Sequence, residues 1–206
     1  MNNRKSLIYV VDDNISVCRA LTVLLKSHGY KVESFMRARS FLAHDHPGVP
    51  SCLVLDIRLP DINGTTLQEI MVRRGIDIPI IFITGHGDIP MSVRTMKAGA
   101  IDFLPKPFTK KKLFGAIEAA ISKSVVQNKK QAEISKINHR IETLSPRELE
   151  VFRLVAKGMM SKNIAFKRGT SLQTIKVHRG RVMQKMRART VTELIRFAQK
   201  AGFASS

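Results

Sequence analysis

Short unbroken apolar runs alternate along the first 120 residues with longer stretches whose apolar positions recur every three or four residues. The runs are Leu7–Val11, 52–55 and 78–83, with a short, mixed stretch at Lys31–Phe35 and another at 102–104. Val, Ile and Leu without polar alternation mark strands covered on both faces. The spacing between them predicts helices over Ile15–Ser27, Ala38–Leu42, 65–74 and 90–98, and a last one from about Lys110 past Ile121. Five such units predict an α/β domain: a five-stranded parallel sheet with helices on both faces.

From Ser122 to Thr143 the chain is polar and basic, with no Gly or Pro, which predicts a helical connector rather than a flexible linker. Ile134, Ile137, Ile141 and Leu144 form an apolar stripe at helical spacing. The stripe is shorter than two heptads, so it favours packing against a neighbouring domain over an intermolecular coiled coil. Beyond it the pattern is all helical. Ser145-Pro146-Arg147-Glu148 is a capping box with Pro at the first helical position, and Thr190-Val191-Thr192-Glu193 is a second capping box. Helices are predicted from Pro146 toward Gly158, over 162–167, from Leu172 to about Met186, and from Val191 to before Gly202. With a tight turn at Arg168-Gly169-Thr170, these four read as an all-α helix-turn-helix unit. The chain thus divides into residues 1–122, a connector 123–142, and 143–206.

Charge sharpens this division. Residues 1–122 hold 16 Lys+Arg and 11 Asp+Glu, a net of +5, whereas 123–206 hold 19 and 5, a net of +14. A basic domain attached to a near-balanced one points to an acidic polymer as partner. A membrane surface is the rival, but neither a lipidation motif nor a long apolar segment supports it, and the first apolar run is too short for a signal-peptide core. Cys18 and Cys52 read as reduced core residues, and the six histidines are scattered without metal-type spacing.

The strand ends carry the chemistry. Leu7–Val11 runs into Asp12-Asp13, 52–55 into Asp56, 78–83 into Thr84, and 102–105 into Lys106. Sites in open parallel sheets form at these carboxyl ends. Three carboxylates suit a hard cation such as Mg²⁺, which commonly bridges carboxylate to phosphate. An Asp beside it can accept a phosphoryl group. Thr84 and Lys106 could then hold phosphate oxygens. Taken alone, Asp12-Asp13 could be no more than a solvated strand end; the order of all five residues is what argues for a site.

These residues resemble a response-regulator receiver domain across residues 5–122. The match includes Val11-Asp12-Asp13, Leu55-Asp56 with Pro60 and Gly64, Ile83-Thr84-Gly85, and Leu104-Pro105-Lys106-Pro107-Phe108. Thr84-Gly85-His86-Gly87-Asp88-Ile89-Pro90-Met91 and Met96-Lys97-Ala98-Gly99-Ala100 resemble the FixJ-type subgroup. The resemblance implies a flavodoxin-like fold with Asp56 as phosphoacceptor. It also implies Asp12, Asp13 and Asp56 as the Mg²⁺ site and Thr84 as the switch hydroxyl. Phe103 would be its aromatic partner, Lys106 the phosphate contact, and Lys106-Pro107 a cis peptide. Phe103 also reads as a plain core aromatic. Arg58 and His86 flank the acceptor and the Thr and either gate water or are solvated loop residues. A phosphatase of the haloacid-dehalogenase class needs a second acid two residues after its nucleophile; here that position is Arg58.

Residues 143–203 resemble a LuxR-type helix-turn-helix domain. The matching pieces are 144–151, Ala156-Lys157-Gly158, Ile164-Ala165 and Thr174-Ile175-Lys176-Val177-His178-Arg179. The resemblance implies that the third helix enters the major groove of double-stranded DNA. Lys176 and Val177 would reach base edges, Arg179 and Arg181 bases or phosphates, and His178 would support the phosphate-facing side. Arg168 and Thr170 stand where relatives carry apolar residues, and Gly180 where relatives often place a contacting side chain. Arg168 is expected to reach solvent or a partner. The whole chain then reads as a cytoplasmic two-component transcriptional regulator, not an enzyme. Its expected partners are a sensor histidine kinase, DNA, a second copy in a phosphorylation-dependent homodimer, and RNA polymerase as a further candidate. The alternative is a phosphorylation-independent architectural DNA binder whose receiver serves as a dimerisation module.

Overall fold

The computed structural model describes residues 6–85 and 89–203; of residues 89–91 it describes the backbone alone. His86, Gly87 and Asp88 of the sequence motif lie outside the described residues. The chain forms two compact units, divided between Lys129 and Lys130.

The first unit is a five-stranded parallel sheet in the order β2-β1-β3-β4-β5. Its strands are β1 (Leu7–Val11), β2 (Lys31–Phe35), β3 (Ser51–Asp56), β4 (Ile80–Thr84) and β5 (Asp102–Pro105). Every residue of β1, β3 and β4 is buried, whereas the edge strands β2 and β5 are mixed. Side chains alternate between the two faces of a strand. Ile8, Val10, Cys52, Val54, Ile81 and Ile83 therefore enter one core, and Leu7, Tyr9, Val11, Leu53, Leu55 and Phe82 the other. Helix α1 (Ile15–Ser27) and the first half of α5 (Lys110–Glu142) cover the first core through Leu21, Leu25, Leu113 and Ile117. Helices α2 (Ala38–Leu42) and α3 (Gly64–Arg74) cover the second through Phe41, Leu67 and Met71. Two covered faces explain why the strands lack polar alternation. Truncating a fully buried residue such as Phe82 to Ala costs about 3–5 kcal/mol. Helix α4 (Ile89–Lys97) lies between β4 and β5 in the chain.

Local signals start these helices where the site needs them. Asn14 caps α1, its Oδ1 accepting from Ser16 N–H at 2.9 Å, and Asn63 caps α3 in the same way through Thr65 N–H at 3.0 Å. Gly64 is fixed by close approach: a Cβ there would lie 2.7 Å from the Asp56 carbonyl oxygen and 3.0 Å from Ile57 Cα. β4 begins at Ile80, two residues later than the apolar run suggested. Pro79 has no N–H for the ladder; its carbonyl accepts from Leu53 N–H at 2.9 Å.

The second unit is helical: the end of α5, then α6 (Pro146–Ala156), α7 (Ser161–Arg168), α8 (Leu172–Met186) and α9 (Val191–Lys200). Its core gathers Phe152, Ile164, Ile175, Val182, Met186 and Leu194. Ile137, Ile141 and Leu144 join that core, so most of the apolar stripe packs within this unit. The first capping box forms in full. In the second only the Thr190 half forms, and Glu193 Oε2 accepts from Arg189 N–H at 2.8 Å instead of from Thr190 N–H. Ser145 Oγ accepts from Glu148 N–H at 3.3 Å while Glu148 Oε2 accepts from Ser145 N–H at 2.8 Å. Thr190 accepts from Glu193 N–H at 3.1 Å. Gly169, at φ 59, makes the left-handed turn between α7 and α8 that a side chain would strain.

Candidate functional sites

The strand register assembles the first site. Val11 lies opposite Leu55, so Asp12 and Asp56 leave adjacent strands at the same level. Asp56 pairs with Ile83, which sets Thr84 one step further along the next strand. Lys106 follows the end of β5, and its backbone N–H donates to the Thr84 carbonyl at 2.7 Å. The Lys106 side chain returns across the strand ends: Nζ donates to Asp12 Oδ2 at 2.7 Å and to Asp56 Oδ1 at 2.9 Å. Asp12 Oδ1 accepts from Asn14 N–H at 2.9 Å, and Asp56 Oδ2 accepts from Arg58 N–H at 3.0 Å.

Asp12, Asp56 and Thr84 are buried, Asp13 and Arg58 exposed, and Lys106 half-buried. Burial pushes the Asp56 carboxyl above its ordinary range. The hydrogen bond and charge of Lys106 oppose this, the charge of Asp12 adds to it, and the Arg58 N–H opposes it. For Lys106 burial works to lower the pKa, but the hydrogen bonds and charges of Asp12 and Asp56 outweigh it and hold the ammonium above its ordinary 10.5. The Lys106-Pro107 peptide is cis. Thr84 and Phe103 lie on one face of the sheet, since Phe82 pairs with Phe103 and Thr84 with Pro105. Phe103 is half-buried against the core that contains Phe82. Cys18 and Cys52 are buried free thiols, as a reading of core residues expects.

No three His, Cys, Asp or Glu side chains among the described residues converge as a preformed metal cluster. The donor set nonetheless fits a hard cation that keeps most of its water. One ammonium is shared between two buried carboxylates, the exposed Asp13 follows Asp12 in the chain, and all the carboxylate donors are oxygen.

The second site is the exposed face of α8. Ile175, Val182 and Met186 anchor the helix in its core. On the other side Gln173, Lys176, Val177, Gly180, Arg181 and Gln184 are exposed. Lys176, Val177 and Arg181 thus lie on the exposed face. Arg179 is half-buried, and its Nη1 donates to Ser161 Oγ at 3.0 Å, tying α8 to the start of α7. His178 is half-buried as well. Arg168 finds a partner, its Nη2 lying 2.6 Å from Glu150 Oε2 on α6. Lys185 locks the far end of α8, donating to Glu148 Oε2 at 2.6 Å and to the Thr143 carbonyl at 3.0 Å. Gln173 and Gln184 share the face of Val177 and Gly180 and were missed in the sequence. Their spacing of four, three and four residues was the available signal. No helix among the described residues is long and apolar enough to cross a membrane.

The response regulator receiver domain model matches residues 8–118, and the model for bacterial regulatory proteins of the luxR family matches 142–198. Nodulation protein W of Bradyrhizobium diazoefficiens is 46% identical over 202 residues, covering 98% of this chain and 89% of that protein. Among solved structures, the response regulator StyR superposes with a TM-score of 0.78 at 42% identity, covering 95% of this chain and 99% of that one. Full-length FixJ from B. japonicum gives a TM-score of 0.55 at 38% identity, with 98% and 99% covered. The chain belongs to the two-component response regulators that join a receiver domain to a LuxR-type DNA-binding domain, a family of transcription regulators and not of enzymes.

Proposed function

We propose that Asp56 accepts a phosphoryl group from a sensor histidine kinase and that the phosphorylated chain binds promoter DNA as a homodimer through α8. The observation that carries this reading is the Lys106 ammonium held between Asp12 and Asp56 at 2.7 and 2.9 Å. An Asp56 oxygen attacks phosphorus; the O–P bond forms as the P–N bond of a phosphohistidine breaks, and the imidazole leaves with the electron pair. Lys106 then passes a hydrogen bond from the Asp56 carboxylate to a phosphoryl oxygen, as a point charge that needs no new position. Thr84, at the end of the neighbouring strand, gives its hydroxyl to a second phosphoryl oxygen, and Phe103 on the same face follows it. Asp12, Asp13 and Asp56 would hold a Mg²⁺ ion, whose positive charge would offset that of the phosphoryl oxygens. The change at β4 and β5 biases the receiver between two states, of which one dimerises.

Incubation with Mg²⁺ and acetyl phosphate tests the acceptor. Wild type should gain one acid-stable, base-labile phosphoryl group and Asp56→Asn none, because an amide is a poor nucleophile. Undiminished labelling of the Asn variant would place the acceptor elsewhere.

A further inference from the structure

Gly180 sits in the interior of α8, where glycine weakens a helix. The fold offers no reason for it. A Cβ built there meets nothing within 4 Å, and the backbone is ordinary helix rather than left-handed. Replacing it would relieve the helix without a clash inside the protein. The constraint therefore lies outside the chain, on the face that Gly180 shares with Lys176, Val177, Arg181 and Gln184.

That face is basic, belongs to the half of the chain with net charge +14, and carries one exposed apolar side chain next to the glycine, Val177 at 45% exposure. Residues three and four apart on a helix are neighbours, so Val177 and Lys176 border the gap on one side and Gln184 on the other. The gap is a notch the depth of one missing side chain, with an apolar wall and long polar donors at its rim. Of the groups a major groove presents, only the thymine C5-methyl is apolar and projects from the base edge. Donors and acceptors elsewhere in the groove would find no partner in a bare backbone notch.

We propose that Gly180 and Val177 form a subsite for a thymine methyl group, with the missing side chain allowing α8 to approach that base pair closely. The subsite rests on the reading that α8 enters the major groove. It sets the base preferred at one position of each half-site, where Lys176 sets a neighbouring one.

The test uses the full-length chain treated with acetyl phosphate and a randomised duplex pool from which wild type and Gly180→Ala each select their preferred sequence. Gly180→Ala should melt higher by about 2–8 °C, since it removes a helix penalty in a small domain. It should nevertheless bind the wild-type sequence at least about tenfold more weakly, the scale of a lost base contact. Replacing one thymine of that sequence by deoxyuridine, which lacks only the methyl, should weaken wild type about fourfold, the scale of one buried methyl group. The same replacement should leave Gly180→Ala unaffected. Equal affinities and the same selected sequence for both proteins would overturn the subsite while leaving DNA reading by α8 intact. So would a thymine whose methyl matters equally to both. A wild-type chain that enriches no sequence would refute DNA reading itself, and the subsite with it.

Discussion

At the residue scale the receiver site is a set of side chains that share one ammonium. Thr84 is buried at the end of the neighbouring strand, and in the proposed function it reads the phosphoryl group rather than carrying it. Thr84→Ala should therefore label with acetyl phosphate as wild type does and yet lose most of its phosphorylation-dependent gain in DNA affinity; an undiminished gain would exclude the hydroxyl as the switch. A second residue gives a pH signature away from the site. His46 packs against Tyr9 and Phe41, with ring centroids 5.3 and 4.6 Å away. Burial, followed by the charge of His44, lowers its pKa below the ordinary 6.5, while Asp45 and Glu33 pull upward. The folded state thus binds this proton more weakly than the unfolded state. The stabilisation is complete above pH 6.5 and is lost as pH falls below 6.5 through the depressed folded value. Urea unfolding of wild type and His46→Gln at pH 7.5, 6.5 and 5.5 should show the difference between them shrinking on acidification. A constant difference would mean that His46 is not held neutral by the fold.

At the element scale, the helix α5 carries two roles that one apolar stripe only half revealed. Its residues up to Ile121 belong to the sheet's core, whereas Ile137 and Ile141 are buried in the helical unit. A fragment 130–206 should melt cooperatively. A fragment 143–206, which lacks both isoleucines, should be less stable by at least about 4 kcal/mol, since each buried Ile is worth about 2–5 kcal/mol. Equal melting midpoints by circular dichroism would show that these residues are dispensable to the core. The central strands were legible because two covered faces leave no polar positions, and helix starts were legible because Asn14, Ser145 and Thr190 cap within three residues. The start of β3 was not: Ser51 is polar yet buried, because its N–H donates to Ser124 Oγ at 3.0 Å, a partner 73 residues away. The same holds for the sites. Asp12, Asp56, Thr84 and Lys106 declared themselves by ending strands. The Arg168–Glu150 and Arg179–Ser161 contacts join different helices and leave no local pattern, so the bond by which Arg179 braces α7 was not legible in the sequence.

At the scale of the whole molecule, two units with different chemistry share one chain: a carboxylate–lysine cluster at the strand ends of a parallel sheet, proposed as the acceptor site, and a basic helix face proposed to read DNA. Neither half alone makes a regulator. The account requires that charge added at Asp56 change the affinity of α8 for its half-sites, by coupling two weak contacts in a dimer. DNA binding followed by fluorescence anisotropy, on a selected duplex and a scrambled one, with and without acetyl phosphate and Mg²⁺, measures that coupling. Wild type should tighten on the selected duplex by at least about tenfold when phosphorylated. Asp56→Asn should stay at the unphosphorylated affinity under both conditions. An affinity for wild type that does not change with acetyl phosphate, or an Asn variant that tightens as wild type does, would contradict control through Asp56.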